Sequence, residues 1–221
     1  MNMYIKLMLS LPRSILFNLR YLPWKKAIKM PFLIVYNAKI NIKGQIILDA
    51  ENIHPGMIRF GTHEADACEE NETAKIVVQK DGRLVFNGRA RIGHGSKIHV
   101  NQGGEMIIGD MFAVSSSSKF ICYKRMVMGK DIQFSWGCQV MDSDTHHIYD
   151  ESGKEINTDK EVCIGNKVWI GSSVVIMKGT QIPDNCVIGA CSFVSGSNFA
   201  PDTIIFGIPA KSVKKIGGWR L

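Results

Sequence analysis

The sequence predicts an all-β chain wound into a three-sided parallel coil, and three observations carry that prediction. An aliphatic residue recurs every six positions, at Ile164, Ile170, Ile176, Ile182, Ile188 and Val194. Glycine follows three of them, at Gly165, Gly171 and Gly189. Four positions after the aliphatic residue a smaller or β-branched one stands in most units: Val168, Val174, Thr180, Cys186 and Ser192. A helix needs a spacing of about 3.6 and a half-buried strand one of about 2, so a period of six fits neither alone. It fits three short strands per turn, each with one aliphatic residue pointing inward and a small residue at the corner. Successive coils then stack about 4.8 Å apart. An ordinary β-sandwich would require all six hits to be coincidence.

Taken from the N-terminus, the first element is a helical segment over residues 1–30, packed on or capping a β-coil domain of residues 31–221. Tyr4, Ile5, Leu7, Met8, Leu11, Ile15, Leu16, Leu19 and Leu22 recur at roughly helical spacing. Lys6, Pro12 and Arg13 interrupt them, so the expectation is a short helix broken at Pro12. No apolar run is long enough to span a bilayer and no small-residue cleavage site follows a signal-type core. Neither a membrane span nor export is expected, and the cytoplasm is the expected compartment. The helix has two readings: a cover for one end of the core, which is preferred, or a peripheral contact with an anionic membrane surface. One helix can do both.

Residues 32–60 and 74–87, rich in Ile, Val and Leu, are expected to be further strands with less regular turns. Weaker echoes of the repeat follow at Ile92, Gly93 and Ile98, at Ile108, Gly109 and Val114, and at Met128, Gly129, Phe134 and Val140. These share the period but not one register, which predicts a slip near Gly103 and Gly104. The polar run Asp150 to Lys160 predicts an inserted loop between His147 and Cys163.

Composition bounds the function. The 221 residues carry 27 basic and 20 acidic side chains, a net +7. Residues 1–48 hold eight of the basic ones (Lys6, Arg13, Arg20, Lys25, Lys26, Lys29, Lys39, Lys43) and no acid, so the remainder is nearly neutral. No basic face with base-reading or stacking side chains is visible, and nucleic acid is not expected as a partner. Cys68, Cys122, Cys138, Cys163, Cys186 and Cys191 form neither a CxxC pair nor a His-Cys metal spacing. They are expected to remain thiols, several of them small buried residues.

The run Val168, Trp169, Ile170, Gly171, Ser172, followed by Ile176 to Gly179, Ile182 to Asn185 and Val187 to Ala190, resembles the hexapeptide-repeat acyltransferases. Gly207, Ile208, Pro209, Ala210 and Lys211 look like that family's exit from the coil. Upstream, Phe134 to Gly137 and Met141 to His146 are similar to the branch that O-acetylates bacterial surface polysaccharides, as is Phe17 to Pro23. The resemblance implies a left-handed parallel β-helix, a homotrimer, and acetyl-CoA as co-substrate in the groove between coils. It implies no metal. Handedness comes from the resemblance and not from the spacing.

Moving an acetyl group from a thioester to a sugar hydroxyl requires a base for the hydroxyl proton, donors for the oxyanion and a groove holding both substrates. A neutral imidazole suits the base role. His146 stands where the family has its catalytic histidine. If the strand continues, residues 142, 144 and 146 share one face and His147 points the other way. Asp144 is the first choice to orient the imidazole and Asp142 the second; a polar turn opening an exposed loop would have the same composition. His94 and His99 are weaker candidates, although His94 could approach a neighbouring subunit's site, and His54 and His63 have no supporting pattern.

For the donor, the resemblance implies that the backbone at Ser172 and Ala190 lines the pantetheine arm and that Lys211 and Lys214 reach the nucleotide phosphates. Small residues there are also what a tight corner needs, and both readings stand. Relatives often carry Thr-Lys after the position of Val194. This chain has Ser195-Gly196, which leaves more of the phosphate charge to Lys211, Lys214 and Lys215. For a carbohydrate acceptor, Trp136 is a candidate stacking platform or else a core or interface aromatic, and Ser115 opens a run of hydroxyls through Ser118. The reading is an acetyl-CoA-dependent O-acetyltransferase acting on a sugar of a surface polysaccharide or its precursor by direct transfer. The alternatives are an N-acyltransferase on an amino-sugar nucleotide, a zinc hydratase built on the same coil, and a non-catalytic scaffold.

Overall fold

A computed structural model describes residues 3–62 and 72–220. His63 and Cys68 lie outside the described residues. The chain enters through helix α1 (Met3–Tyr21) and the single turn α2 (Trp24–Ala27). The first coil is β1 (Phe32–Ile34), β2 (Lys39–Ile42) and β3 (Gln45–Leu48), and the second is β4 (Ile58–Thr62), β5 (Lys75–Val78) and β6 (Arg83–Phe86). The third is β7 (Ala90–Gly93), β8 (Lys97–Val100) and β9 (Glu105–Ile108), and the fourth is β10 (Phe112–Val114), β11 (Lys119–Cys122) and β12 (Arg125–Met128). The fifth, β13 (Ile132–Phe134), β14 (Gln139–Met141) and β15 (Val162–Ile164), is interrupted by a loop before its last strand. The sixth is β16 (Val168–Ile170), β17 (Val175–Ile176) and β18 (Gln181–Ile182). Then β19 (Val187–Ile188) and β20 (Phe193–Val194) begin a seventh, and a hairpin of β21 (Thr203–Gly207) and β22 (Ala210–Lys215) ends it.

Strands of the same rank stack into three faces. The first face runs β1-β4-β7-β10-β13-β16-β19-β21-β22, the second β2-β5-β8-β11-β14-β17-β20, and the third β3-β6-β9-β12-β15-β18. Among the described residues the strands pair in parallel except at the closing β21–β22. The six-residue repeat emerges as the inward row of each face: Ile76, Ile98, Phe120, Val140, Ile176 and Val194 lie one above another on the second. All of them are buried. Burying such side chains stabilises by roughly 1.5–3 kcal/mol each. In the middle coils aromatics fill the wider lumen, with the rings of Phe120 and Phe134 edge to face at 5.1 Å.

The expected slip has a simple cause. Ala90 stacks on Phe112, 22 residues later; Val114 on Phe134, 20 later; and Ile170 on Ile188, 18 later. The coils tighten toward the C-terminus, and only the last ones reach the length at which a period of six is strict. The β8–β9 corner takes residues 101–104, Gly103 and Gly104 among them, where the β11–β12 corner takes residues 123–124 alone.

Helix α1 differs from its prediction by running unbroken through Pro12. Proline removes one N–H and crowds the preceding turn, but Pro12 is on the solvent side. On the opposite side the main chain around β1 fastens both halves. The backbone N–H groups of Tyr36, Ile34 and Phe32 donate to Ser10 Oγ (3.0 Å), Ser14 Oγ (2.9 Å) and Asn18 Oδ1 (3.1 Å). Asn18 Nδ2 donates back to the carbonyl of Phe32 at 2.8 Å. The helix thus covers the open edge of the first face, whose unpaired groups would otherwise template another strand.

Candidate active site

The three faces meet at three long edges, and the candidate residues fall on two of them. The first edge joins the first face to the second. Here Ser117 N donates to the carbonyl of His94 (2.9 Å), Gly137 N to Ser116 (3.2 Å), Ser173 N to Trp136 (2.9 Å) and Cys191 N to Ser172 (2.9 Å). Ser116, Trp136, Ser172 and Ala190 therefore occupy one column, each a coil below the last, and Ser115 stands one residue before it. The column is tight: a Cβ on Gly171 would lie 2.7 Å from the Ala190 nitrogen, and one on Gly93 would collide with the carbonyl of Ser115. Trp136 is 44% exposed, so it is not a core aromatic.

Below this column, Gly207 N at the hairpin turn donates to Ser192 Oγ at 3.2 Å. Lys211, opposite Phe206 in the hairpin, lines a cleft of about 360 Å³ with Ser195, Gly196, Phe199 and Ser212. The chain's Ser195-Gly196 thus faces the lysine named for the phosphates. Lys214 lies three residues further along β22, opposite Ile204, and is exposed.

The second edge, between the second and third faces, carries the histidine. Val140 stacks on Ile176, so Asp142 and Lys178, each two residues on, lie in successive coils at the same corner. Asp142 is buried, and its carboxylate accepts the backbone N–H groups of Tyr123 (2.6 Å), Lys124 (2.8 Å) and Arg125 (2.8 Å). It ties the fifth coil to the corner of the fourth and does not touch the imidazole. Burial, with the Asp142 carboxylate beside it, pushes the Cys122 thiol far above its ordinary range.

Asp144 does not bond the imidazole either. Its Oδ2 lies 2.6 Å from Lys178 Nζ and 2.9 Å from Asn157 Nδ2. These two hydrogen bonds, the Lys178 one foremost, hold its carboxyl below the ordinary carboxylate range. The group that meets the ring is Thr145, whose Oγ1 is 3.0 Å from His146 Nδ1. Thr145 has φ +64°, a left-handed conformation uncommon for a β-branched residue, immediately before the exposed His146.

The inserted loop is present and doubles back on the site. Ile156 N donates to the carbonyl of Ile148 at 2.9 Å, and Asp150 Oδ1 caps the tip through Ser152 N and Lys154 N. Asn157 is its clasp: one amide group reaches both Asp144 Oδ2 and the carbonyl of His146 (2.8 Å), and Lys178 Nζ donates to the Asn157 carbonyl. His147 turns instead to Glu155, 2.9 Å away, whose hydrogen bond and charge raise the imidazole pKa. The sequence alone gives no role to Lys178, Asn157 or Thr145. The register would have yielded Lys178, because Val140 and Ile176 occupy equivalent positions. Asn157 lies in the insertion and Thr145 in the turn just before it, where no period applies.

The model for the bacterial transferase hexapeptide (six repeats) matches residues 164–196. Galactoside O-acetyltransferase of Escherichia coli K12 is 27% identical over 154 residues, 67% of this chain and 74% of that protein. The chain carries this hexapeptide repeat and is similar to O-acetyltransferases. Polysialic acid O-acetyltransferase of Neisseria meningitidis is 43% identical over 56 residues, 25% of this chain and 26% of that one. Among solved structures, the polySia-specific acetyltransferase NeuO is 25% identical and aligns with a TM-score of 0.49 over 86% of this chain and 89% of its own. The three-sided parallel coil agrees with the architecture that the resemblance implied.

Proposed function

We propose that the protein is an acetyl-CoA-dependent O-acetyltransferase that modifies a sugar hydroxyl of a bacterial surface polysaccharide or its precursor, by direct transfer, with His146 as general base. The observation that carries the reading is the fixed, exposed imidazole of His146 at the mouth of a loop clasped by Asn157, Asp144 and Lys178. In the tautomer whose Nδ1–H donates to Thr145 Oγ1, Nε2 is the basic nitrogen. It takes the proton of the acceptor hydroxyl as that oxygen attacks the thioester carbonyl. The tetrahedral adduct collapses with cleavage of the C–S bond, and the imidazolium returns the proton to the departing thiolate. Asp144 acts as a positioning residue through Asn157, and Asp142 holds the corner on which both stand.

The donor residues support a homotrimer. Ser172, Ala190 and Trp136 are at the start of the second face and His146 at its far end, and about 3.3 Å per residue puts Trp136 and Asp142 roughly 20 Å apart. One chain cannot bring both edges to a single acetyl group. Two chains side by side, the His146 edge of one facing the Ser172 and Ala190 edge of the next, can, and three close the ring. In this reading the pantetheine arm lies along Ser172 and Ala190, Lys211 and Lys214 meet the phosphates, and Trp136 and Ser115 face the sugar. The enzyme works on the cytoplasmic side.

The test is His146→Ala in the intact protein, with acetyl transfer to glycan acceptors and calorimetric coenzyme A binding both measured. Loss of transfer with binding retained supports the assignment, and full transfer overturns it. Release of the product's acetyl group by mild base marks an ester and excludes the amide of an N-acyltransferase.

A further inference from the structure

A helix lying on a globular protein ordinarily turns its apolar stripe to the core. Helix α1 is mounted the other way round. Ser10, Ser14 and Asn18, spaced four apart, form the centre of its buried side and are consumed by the main chain of β1 and Tyr36. The opposite side presents Ile5, Met8, Leu9, Ile15, Leu16 and Leu19 to solvent, with Met8 and Leu16 71% and 69% exposed. Trp24, at 69%, and Ile28 extend this surface past the helix end. A core would have claimed these residues had the helix been rolled over, but only the polar stripe can satisfy the open strand edge.

The surroundings carry one sign of charge. No acid occurs before Asp49. Arg20, Lys25 and Lys29 are exposed beside the apolar surface. A second copy docked face to face would bring these same cations together, which argues against self-association as the occupant. No helix among the described residues is long and apolar enough to cross a membrane.

We propose that the outward face of α1, with Trp24 and Ile28, seats the protein on an anionic membrane surface. The apolar side chains enter the boundary between headgroups and acyl chains while Arg20, Lys25 and Lys29 meet the lipid phosphates. The docking is independent of the acyl-transfer chemistry, so it stands or falls separately from it.

The experiment is co-sedimentation of the full chain with phosphatidylcholine vesicles with and without phosphatidylglycerol, alongside measurement of solution mass. The expected result is sedimentation with the phosphatidylglycerol vesicles alone, weakened at least tenfold by raising the salt from about 0.1 M to about 0.5 M. Leu16→Glu with Leu19→Glu abolishes it without changing mass or thermal midpoint, because both side chains are exposed. Lys25→Glu with Lys29→Glu weakens it without touching the apolar face. Protein that stays in the supernatant at low salt overturns the proposal. So does equal binding to both vesicle types, or a drop in mass in the leucine variant, which would make this face a contact between chains.

Discussion

Lys178 Nζ lies 2.6 Å from Oδ2 of Asp144, and the same oxygen accepts a 2.9 Å hydrogen bond from Asn157, whose amide also holds the carbonyl of His146. The sixth coil thus fixes the position of a histidine carried by a loop of the fifth. Removing the cation should free Asn157, and with it the loop, rather than remove any group that touches substrate. Lys178→Met is expected to lower kcat by up to about 10²-fold, the scale of a small misplacement of reacting groups, with the KM for acetyl-CoA nearly unchanged. Lys178→Arg, which keeps the charge, should recover part of the loss. Steady-state kinetics on the three proteins checks this, and a merely structural lysine would move the thermal midpoint but not the split between kcat and KM.

Asp142 should behave as a fold residue. Its buried carboxylate accepts three backbone N–H groups, from Tyr123, Lys124 and Arg125. Asp142→Ala strips them of their partner at about 1–3 kcal/mol per group left unsatisfied, so a loss of at least about 2 kcal/mol is expected in urea unfolding. Asp142→Asn keeps one carbonyl oxygen and should fall between. A stable Asp142→Asn protein with a displaced pH–rate profile would show that the carboxylate acts on the imidazole after all.

Legibility in the sequence followed the period. From Ile164 to Val194 each coil is 18 residues long, so the inward row can be counted off and even the corner shared by Asp142 and Lys178 is implied by Val140 and Ile176. Upstream, corners such as residues 101–104 lengthen the coils and the count drifts, although the strands themselves remain visible as Ile, Val and Leu runs. The orienting partner of His146 was not legible. Alternation along a strand places residues 142, 144 and 146 on one face, but the strand ends at Met141 and Thr145 turns the chain at φ +64°. Helix α1 read as broken because Pro12 outweighs local propensity, and its continuity depends on hydrogen bonds to β1 that no local pattern encodes.

His99 makes a pH prediction. It stands on the outer side of β8 between Val77 and Ile121, and its Nε2 is buried with no hydrogen-bond partner among the described residues. Burial, with the Lys75 charge in addition, pulls its pKa below the ordinary 6.5. As pH falls through 6.5 the unfolded chain takes up this proton first, so stability is full above that value and declines below it until the folded pKa is reached. His99→Gln should remove that part of the slope. The difference in unfolding free energy between wild type and variant is therefore expected to move against the wild type between about pH 7.5 and pH 5.5. A constant difference across that interval would rule the prediction out.

The outer surface supplies a prediction about charge. On the third face Glu105 stands in register between Arg83 and Arg125, with contacts of 2.8 Å and 3.4 Å, and Arg125 reaches Glu161 at 3.2 Å. The second face has the opposite arrangement: Lys39, Lys75, Lys97 and Lys119 lie in register on four successive strands, all exposed, and none is in an ion pair among the described residues. Rungs about 4.8 Å apart put like charges where side chains directly opposite one another destabilise a sheet by a few tenths of a kcal/mol per pair. Lys97→Glu converts two repulsive neighbours into two attractive ones, each worth about 0.2–1 kcal/mol at an exposed site. A gain of roughly 0.5–1.5 kcal/mol is expected in urea unfolding at low salt, shrinking toward zero at about 1 M, where the screening length is near 3 Å. Glu105→Lys, which breaks the alternating row, should lose a similar amount with the same salt dependence. Unchanged stability of Lys97→Glu at low salt would mean that the four ammonium groups already spread far enough apart to ignore one another.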